Sequence, residues 1–308
     1  MIGTTGQTRR AGLRTALAVL ATVPLLGTAG SSATRHESPA RGALQPATVP
    51  PPPLKVMTFN LRYTGAKDSH TWAVRRPVMR ALLRRAAPHV IGTQEGLPAQ
   101  LRDIETDLGP HYDWIGEGRS VEDPEAVAVF YDTRRLVPVE HAHFWLSDTP
   151  EVLGSNTWGA DYPRTVTWVR FRDLRARQEF YVLNTHLDNA SQYARVRSAD
   201  LIAARIARLD RSLPLLLTGD FNAVAHVNPV YDRLLTAGLV DTWDTARARG
   251  GAYATYHGYK PLTPNGDRID WILATPGVTV HREWTDTFRL DGQYPSDHLP
   301  VQASMTLE

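Results

Sequence analysis

Short runs of aliphatic and aromatic residues recur along the chain, and each is cut off by a polar or acidic residue. In PLLLTGDFNAV (214–224) an apolar run over residues 213–217 is bounded by turn-forming residues, the pattern of a short strand buried on both faces. Similar runs at LKVMTFNL (54–61), HVIGTQEG (89–96), AVAVFYD (126–132), VPVEHAHFWL (137–146), TVTWVRFRD (165–173), EFYVLNTHLD (179–188), RIDWILA (268–274), VTVHREW (278–284) and LPVQASMTL (299–307) predict further strands. Helical spacing appears at 75–87, where Val78, Leu82 and Leu83 share a face and Pro88 closes the element, then at 97–108. It returns at 194–209 with Ala199, Ile202, Ile206 and Leu209. Helices alternate with strands in both halves, with hairpins between, so the pattern predicts an α/β fold of two mixed sheets packed face to face under outer helices.

The polar residues that stop these runs are Asn60, Glu95, His186 with Asp188, Asp220 with Asn222, Asp270, and Asp297 with His298. Charged and amide groups so close to a core are costly unless they are paired or bind a cation. Loops over one sheet edge would gather them into one cleft. Gly219 would let a backbone or ligand approach beside Asp220 and Asn222, which project to one side if the strand continues through them. Each has a plainer reading: Asn60 as a turn cap, Glu95 as a charge favouring the next helix, His186 and Asp188 as a cross-strand polar pair. Six such segments together favour a common site.

Composition narrows the chemistry. The chain has no cysteine, so any metal takes oxygen or imidazole ligands. Neither a GxSxG elbow nor an HExxH pattern occurs, which argues against serine and zinc hydrolases. Residues 1–33 have the make-up of an export signal, with Arg9, Arg10 and Arg14 ahead of an apolar stretch over 16–26 too short to span a bilayer. TRRAGLR resembles a twin-arginine signal, although Gly12 replaces the usual large apolar residue and general secretory export stays open. A proline-rich linker follows at 34–53, leaving one domain over 54–308. These features predict a secreted protein without a stable membrane anchor, expected to be a monomer.

The net charge is +2, but residues 1–53 hold five basic side chains and one acidic, leaving 29 basic against 31 acidic residues in the domain. A strongly basic footprint for nucleic acid is therefore absent, though a local basic cleft remains open. Arg164 in DYPRTVTW is a candidate for gripping two phosphate oxygens. Tyr63, Trp72, Trp158, Tyr256 and Tyr259 fall in expected loops, where they could shape a cleft.

The motifs FNLRY, TQE, NTHLD, GDFN, RIDWI and YPSDHLPV, in this order, resemble those of the endonuclease/exonuclease/phosphatase superfamily over residues 55–303. The resemblance implies the deoxyribonuclease I-like four-layer α/β sandwich and metal-dependent hydrolysis of phosphate esters by an activated water. It further implies Glu95 as cation ligand with Asn60 beside it and Asp297 against the metal or a histidine. Asp220 would align or deprotonate the water with help from Asn222. His186 and His298 would contact the phosphoryl oxygens, Asp270 would orient His298, and Arg164 and Asp188 are the substrate-binding candidates. Hard oxygen ligands suit Mg²⁺ best, with Mn²⁺ or Ca²⁺ as alternatives. A phosphate ester is the expected substrate, with DNA or RNA as a second candidate, and a noncatalytic binding module is the reading from a different class.

Overall fold

The computed structural model describes residues 52–64 and 69–307; the expected export signal and nearly all of the linker lie outside the described residues. The chain runs β1 (Leu54–Asn60), α1 (Trp72–Ala86), β2 (Val90–Gly96), α2 (Pro98–Leu108), β3 (Tyr112–Gly118), β4 (Ala126–Asp132), β5 (Leu136–Trp145), β6 (Thr165–Asp173) and β7 (Gln178–His186). It continues with α3 (Gln192–Ile206), β8 (Leu215–Asp220), α4 (Pro229–Thr236), β9 (Val240–Asp241), α5 (Thr242–Thr245), β10 (Arg249–Gly250), β11 (Asp270–Ala274), β12 (Thr279–Thr285) and β13 (Val301–Thr306). One sheet has the order β10-β12-β13-β1-β2-β4-β3 and the other β5-β6-β7-β8-β11-β9. Both are mixed, with β1 parallel to β2 and β7 parallel to β8.

Three apolar clusters define the layers of a sandwich. Met79, Leu83, Leu101 and Ile104 of α1 and α2 pack on Met57, Phe59, Ile91 and Phe130 of the first sheet. Val56, Val90, Val129, Val182, Leu216 and Ile272 fill the space between the sheets. Ala199, Ile202 and Leu234 of α3 and α4 cover Leu183, Leu217, Trp271 and Leu273 on the far side. The expected four layers are therefore present. Among the described residues no helix is long and apolar enough to cross a membrane.

Strand periodicity then places the polar residues. Leu54, Val56, Thr58 and Asn60 of β1 face the other sheet, because side chains alternate with period two. Phe180, Val182, Asn184 and His186 do the same in β7, as do Leu216, Thr218 and Asp220 in β8. Each inward row thus runs from aliphatic, through one hydrogen-bonded polar residue, to a functional candidate. The middle positions bond across the sheets. Asn184 donates to Thr93 O (2.8 Å) and Ala128 O (3.1 Å), and accepts from Gln94 Nε2 (2.7 Å), which also reaches Thr58 Oγ1 (3.1 Å). Close approach is possible because Gly92 faces this network: a Cβ there would lie 2.2 Å from Thr218 Oγ1 and 2.6 Å from Asn184 Oδ1.

Some elements depart from the sequence pattern. Trp72 heads α1 instead of lying in a loop, and Trp158 is buried against the α3 side of the core. β3 was not expected, since YDWIGEG has no continuous apolar run and sits at a sheet edge. Nor was α4, although Asn228 caps its N-terminus and Pro229 opens it, a combination that favours helix starts.

Far from the polar row ends, β12 buries Glu283 completely. Thr242 has one hydroxyl hydrogen and two oxygens within reach, Ile272 O (2.7 Å) and the Glu283 carboxyl. Both contacts are satisfied when Thr242 donates to Ile272 and a protonated Glu283 donates to Thr242. Burial and the neighbouring Asp241 push the Glu283 carboxyl up to about 8.

Two outcomes follow from this packing. Gly92→Ala should destabilise the protein by about 1–3 kcal/mol in urea unfolding, because the methyl wedges the sheets apart at their hydrogen-bonded seam; wild-type stability would mean the seam is not tight. Glu283 holds its proton in the folded state but releases it near pH 4.5 when unfolded, so it costs stability progressively as pH rises from about 5 to 8. Glu283→Gln should therefore gain stability over wild type across that window, read as a difference in melting temperature that grows with pH.

Candidate active site

The inward row ends converge from both sheets. Asn60 at the end of β1 donates from Nδ2 to Glu95 Oε1 (3.0 Å) and, across to the other sheet, to Asp220 Oδ2 (3.0 Å). Its Oδ1 accepts from Arg62 N (2.8 Å), which fixes the amide orientation. Glu95 would face outward by strand parity, but β2 bulges between Thr93 and Gly96 and Glu95 takes φ 57°, turning the carboxylate into the site. Its Oε2 accepts from Tyr63 N (2.6 Å). The loop after β1 is held by the fully buried Arg75, which donates to Leu61 O (2.6 Å), Arg62 O (3.0 Å) and Pro295 O (3.1 Å). Residues 61–62 and 295 are thereby tied together.

Phe221 stacks on Trp271 at 4.2 Å, anchoring the turn that follows β8. Asn222 adopts φ 46°, a left-handed conformation asparagine tolerates, and its backbone N–H bonds to Asp220 Oδ1 (2.9 Å). Burial and the neighbouring Asp270 raise the Asp220 carboxyl well above the ordinary range, partly offset by His298. Asp270 accepts from His298 Nδ1 at 2.9 Å, again bridging the sheets, while His298 Nε2 lies 3.8 Å from Asp220 Oδ2. Burial alone would discharge His298, but Asp270 and Asp220 outweigh it and lift the imidazole to about 10.

His186 is held in the opposite state. Arg164 lies 3.0 Å from its Nδ1 and can only donate, so Nδ1 carries the lone pair and the proton sits on Nε2. Burial first, then the charges of Arg164 and His298, keep this imidazole neutral. Nε2 lies 3.4 Å from Asp220 Oδ2 and 3.1 Å from the Asn222 amide, which donates to Leu187 O. The site therefore holds one neutral and one cationic histidine on either side of a buried carboxylate.

Glu95, Arg164, His186, Asp220, Asn222, Asp297 and His298 line one cavity of about 750 Å³ that also includes Arg119, Glu122, Asp123, Glu125, Tyr162 and Asn189, while Asn60 and Asp270 stand behind it, bonded to Asp220 and His298. Arg119 bonds Asp123 (2.6 Å) and Glu125 (2.8 Å), and burial, opposed by Arg119, pushes the Glu125 carboxyl up to about 7. Sequence reading missed this wall because Glu125 and Arg119 flank an irregular loop; the only cue was acid density in SVEDPEA. Of the expected residues, Asn60, Glu95, Arg164, His186, Asp220, Asn222, Asp270, Asp297 and His298 gather here. Asp188 does not line the cavity but backs it, its carboxylate 3.6 Å from Arg164 Nε and accepting from Asp161 N (3.0 Å), Ala190 N (3.1 Å) and Ser191 N (2.7 Å) at the start of α3. Tyr63 and Tyr256 line the cavity, whereas Tyr259 stacks on His70 at 3.5 Å.

The donor set fits a hard divalent cation. The carboxylates of Asp220 and Asp270 come within 4.8 Å of one another and Asp270 Oδ1 is buried without a hydrogen-bond partner, whereas His298 in the same cluster is cationic and offers no lone pair. Asp297 pairs with Arg62 (3.1 Å), yet its carboxyl is raised by burial and by the charge of Glu95. Crowded carboxylates of this kind are relieved by a cation. Asn60 turns its NH₂ rather than its carbonyl toward the acids, so in this structure it acts as a clamp between Glu95 and Asp220.

Comparison with known proteins agrees with this architecture. A family model described as the Endonuclease/Exonuclease/phosphatase family matches residues 57–298. An endonuclease/exonuclease/phosphatase family protein from Bacteroides thetaiotaomicron superposes with TM-score 0.78 at 34% identity, covering 84% of this chain and all of its own. A mannosyl-6-phosphatase of the same organism gives 0.77 at 34%, covering 82% and 100%. A Bacteroides vulgatus relative gives 0.78 at 30%, covering 83% and 99%. No curated protein matches. Members of the family hydrolyse phosphate esters and generally use a divalent metal, and with its sandwich and convergent polar centre the chain belongs to the endonuclease/exonuclease/phosphatase family as a hydrolase of that class.

Proposed function

We propose that the protein is an exported, divalent-metal-dependent phosphoesterase that hydrolyses a small phosphate ester, a phosphorylated sugar foremost, with an activated water. The observation that carries this reading is the pair of unlike histidines around Asp220. Asp220, raised toward neutrality, accepts a proton from water near physiological pH. Cationic His298 donates from Nε2 to a phosphoryl oxygen, and neutral His186 offers a second Nε2–H, so both donors are fixed before charge accumulates on those oxygens. Glu95, with Asp297 nearby, would hold the cation, Mg²⁺ by preference and Mn²⁺ or Ca²⁺ as substitutes. When bound it would offset the charge developing on the phosphoryl group. Similarity to a mannosyl-6-phosphatase at 34% identity supports a sugar ester over nucleic acid, the second candidate. Export rests on the composition of residues 1–33.

Asp220→Ala should lower kcat by roughly 10²–10⁴-fold with the fold retained by circular dichroism. Turnover should vanish in excess chelator and return with Mg²⁺; hydrolysis indifferent to chelation would remove the metal from the mechanism. Arg164→Met frees His186 Nδ1 to take a proton. It should cut kcat by about tenfold to a hundredfold and, in ¹⁵N spectra, convert His186 from the Nε2–H tautomer to a mixture; an unchanged tautomer would deny Arg164 its positioning role.

A further inference from the structure

We propose that the wall of the cavity formed by Glu122, Asp123, Asn189 and Tyr162 is a hydroxyl-reading subsite that binds the uncharged, polyhydroxylated part of the ester. The inference rests on the phosphoesterase reading and adds to it which residues select the substrate.

The cavity, about 750 Å³, is of the size that encloses a whole small-molecule ligand rather than a phosphoryl group alone. Beside His186, whose Nδ1 lies 4.0 Å from Glu125 Oε1, the wall is acidic: the Arg119 guanidinium is spent on Asp123 and Glu125, at 2.6 and 2.8 Å, and exposed Glu122 adds a further carboxylate. A second phosphate or a nucleic-acid strand would meet this surplus of acid, whereas sugar hydroxyls donate to carboxylates and accept from the Asn189 amide. The wall is already organised. Tyr162 is 45% exposed, yet the Arg119 and Arg164 guanidinium carbons lie 4.3 and 5.6 Å from its ring centre. The ring is thus held in place by guanidinium stacking while nearly half of the residue stays exposed. Tyr63 and Tyr256, 49% and 52% exposed, line the same cavity as Tyr162 and the acids. Hydroxyl acceptors beside exposed aromatic rings match a pyranose, with C–H groups on one side and hydroxyls at the edge.

The test uses the full chain with Mg²⁺ and three monoesters: a hexose 6-phosphate, adenosine monophosphate and p-nitrophenyl phosphate. Wild type should prefer the hexose phosphate in kcat/KM. Tyr162→Ala and Glu122→Ala should each lower kcat/KM for the hexose ester about tenfold more than for the aryl ester, mainly through KM. Tyr162→Phe, which keeps the ring face, should retain most of that preference. Equal losses on both esters, or adenosine monophosphate as the best substrate, would overturn the subsite while leaving the phosphoesterase reading intact. Hydrolysis of none of the three would overturn the function and the subsite with it.

Discussion

The seam between the two sheets is the constraint on which the site depends. Asn184 is fully buried and distributes its amide over Thr93, Gln94 and Ala128 of the opposite sheet. An amide so placed loses several hydrogen bonds at once if the sheets slide by one residue, and buried donors left unpaired cost about 1–3 kcal/mol each. Apolar packing alone is more tolerant of such displacement. The polar seam therefore sets register one turn of the alternation below Asn60, His186 and Asp220, where a small shift would separate groups now 3.0 to 3.4 Å apart. Gly92 is the steric counterpart, since the network closes only where one strand has no side chain.

Above the seam, the unlike protonation of the two histidines follows from partners rather than from the rings themselves. Both are buried, and burial opposes charge on either. Asp270 reverses that preference for His298, while a guanidinium reinforces it for His186. Each partner comes from a strand or strand end whose far side is packed: Asp270 precedes Trp271, and Arg164 immediately precedes β6. Rotamers that carry the chemistry are thus fixed by residues committed to the core, as a preorganised site requires.

Much of this was legible in the sequence because period-two alternation and the ends of apolar runs are local features. Asn60, His186, Asp220 and Asp270 all stand at inward parity with their strands, so the strand pattern already aimed them together. Glu95 broke parity, and only a bulge with positive φ brings it in; nothing in HVIGTQEG announces that bulge. The roles of Asn184, Gln94 and Thr58 were equally hidden. As single letters inside strands they look like weak points, and their function appears only when the second sheet supplies partners. Arg119 and Glu125 were missed for the same reason, since they face the centre from a loop and are linked to each other rather than to a recognisable motif.

That wall also explains how an arginine-rich chain can carry an acid-lined cavity. The sequence holds 31 arginines and three lysines, yet the guanidiniums nearest the centre are committed: Arg75 to carbonyls, Arg119 to two carboxylates, Arg164 to an imidazole and Asn189. A planar fork with fixed donors can be saturated by such neighbours, while a lysine would keep a mobile charge free to attract any anion. With those donors already engaged, His298 is the cationic donor aimed where the phosphoryl group must sit. The organic part of the substrate is then left to shape and hydrogen bonding, which is a route to discrimination that net charge cannot provide.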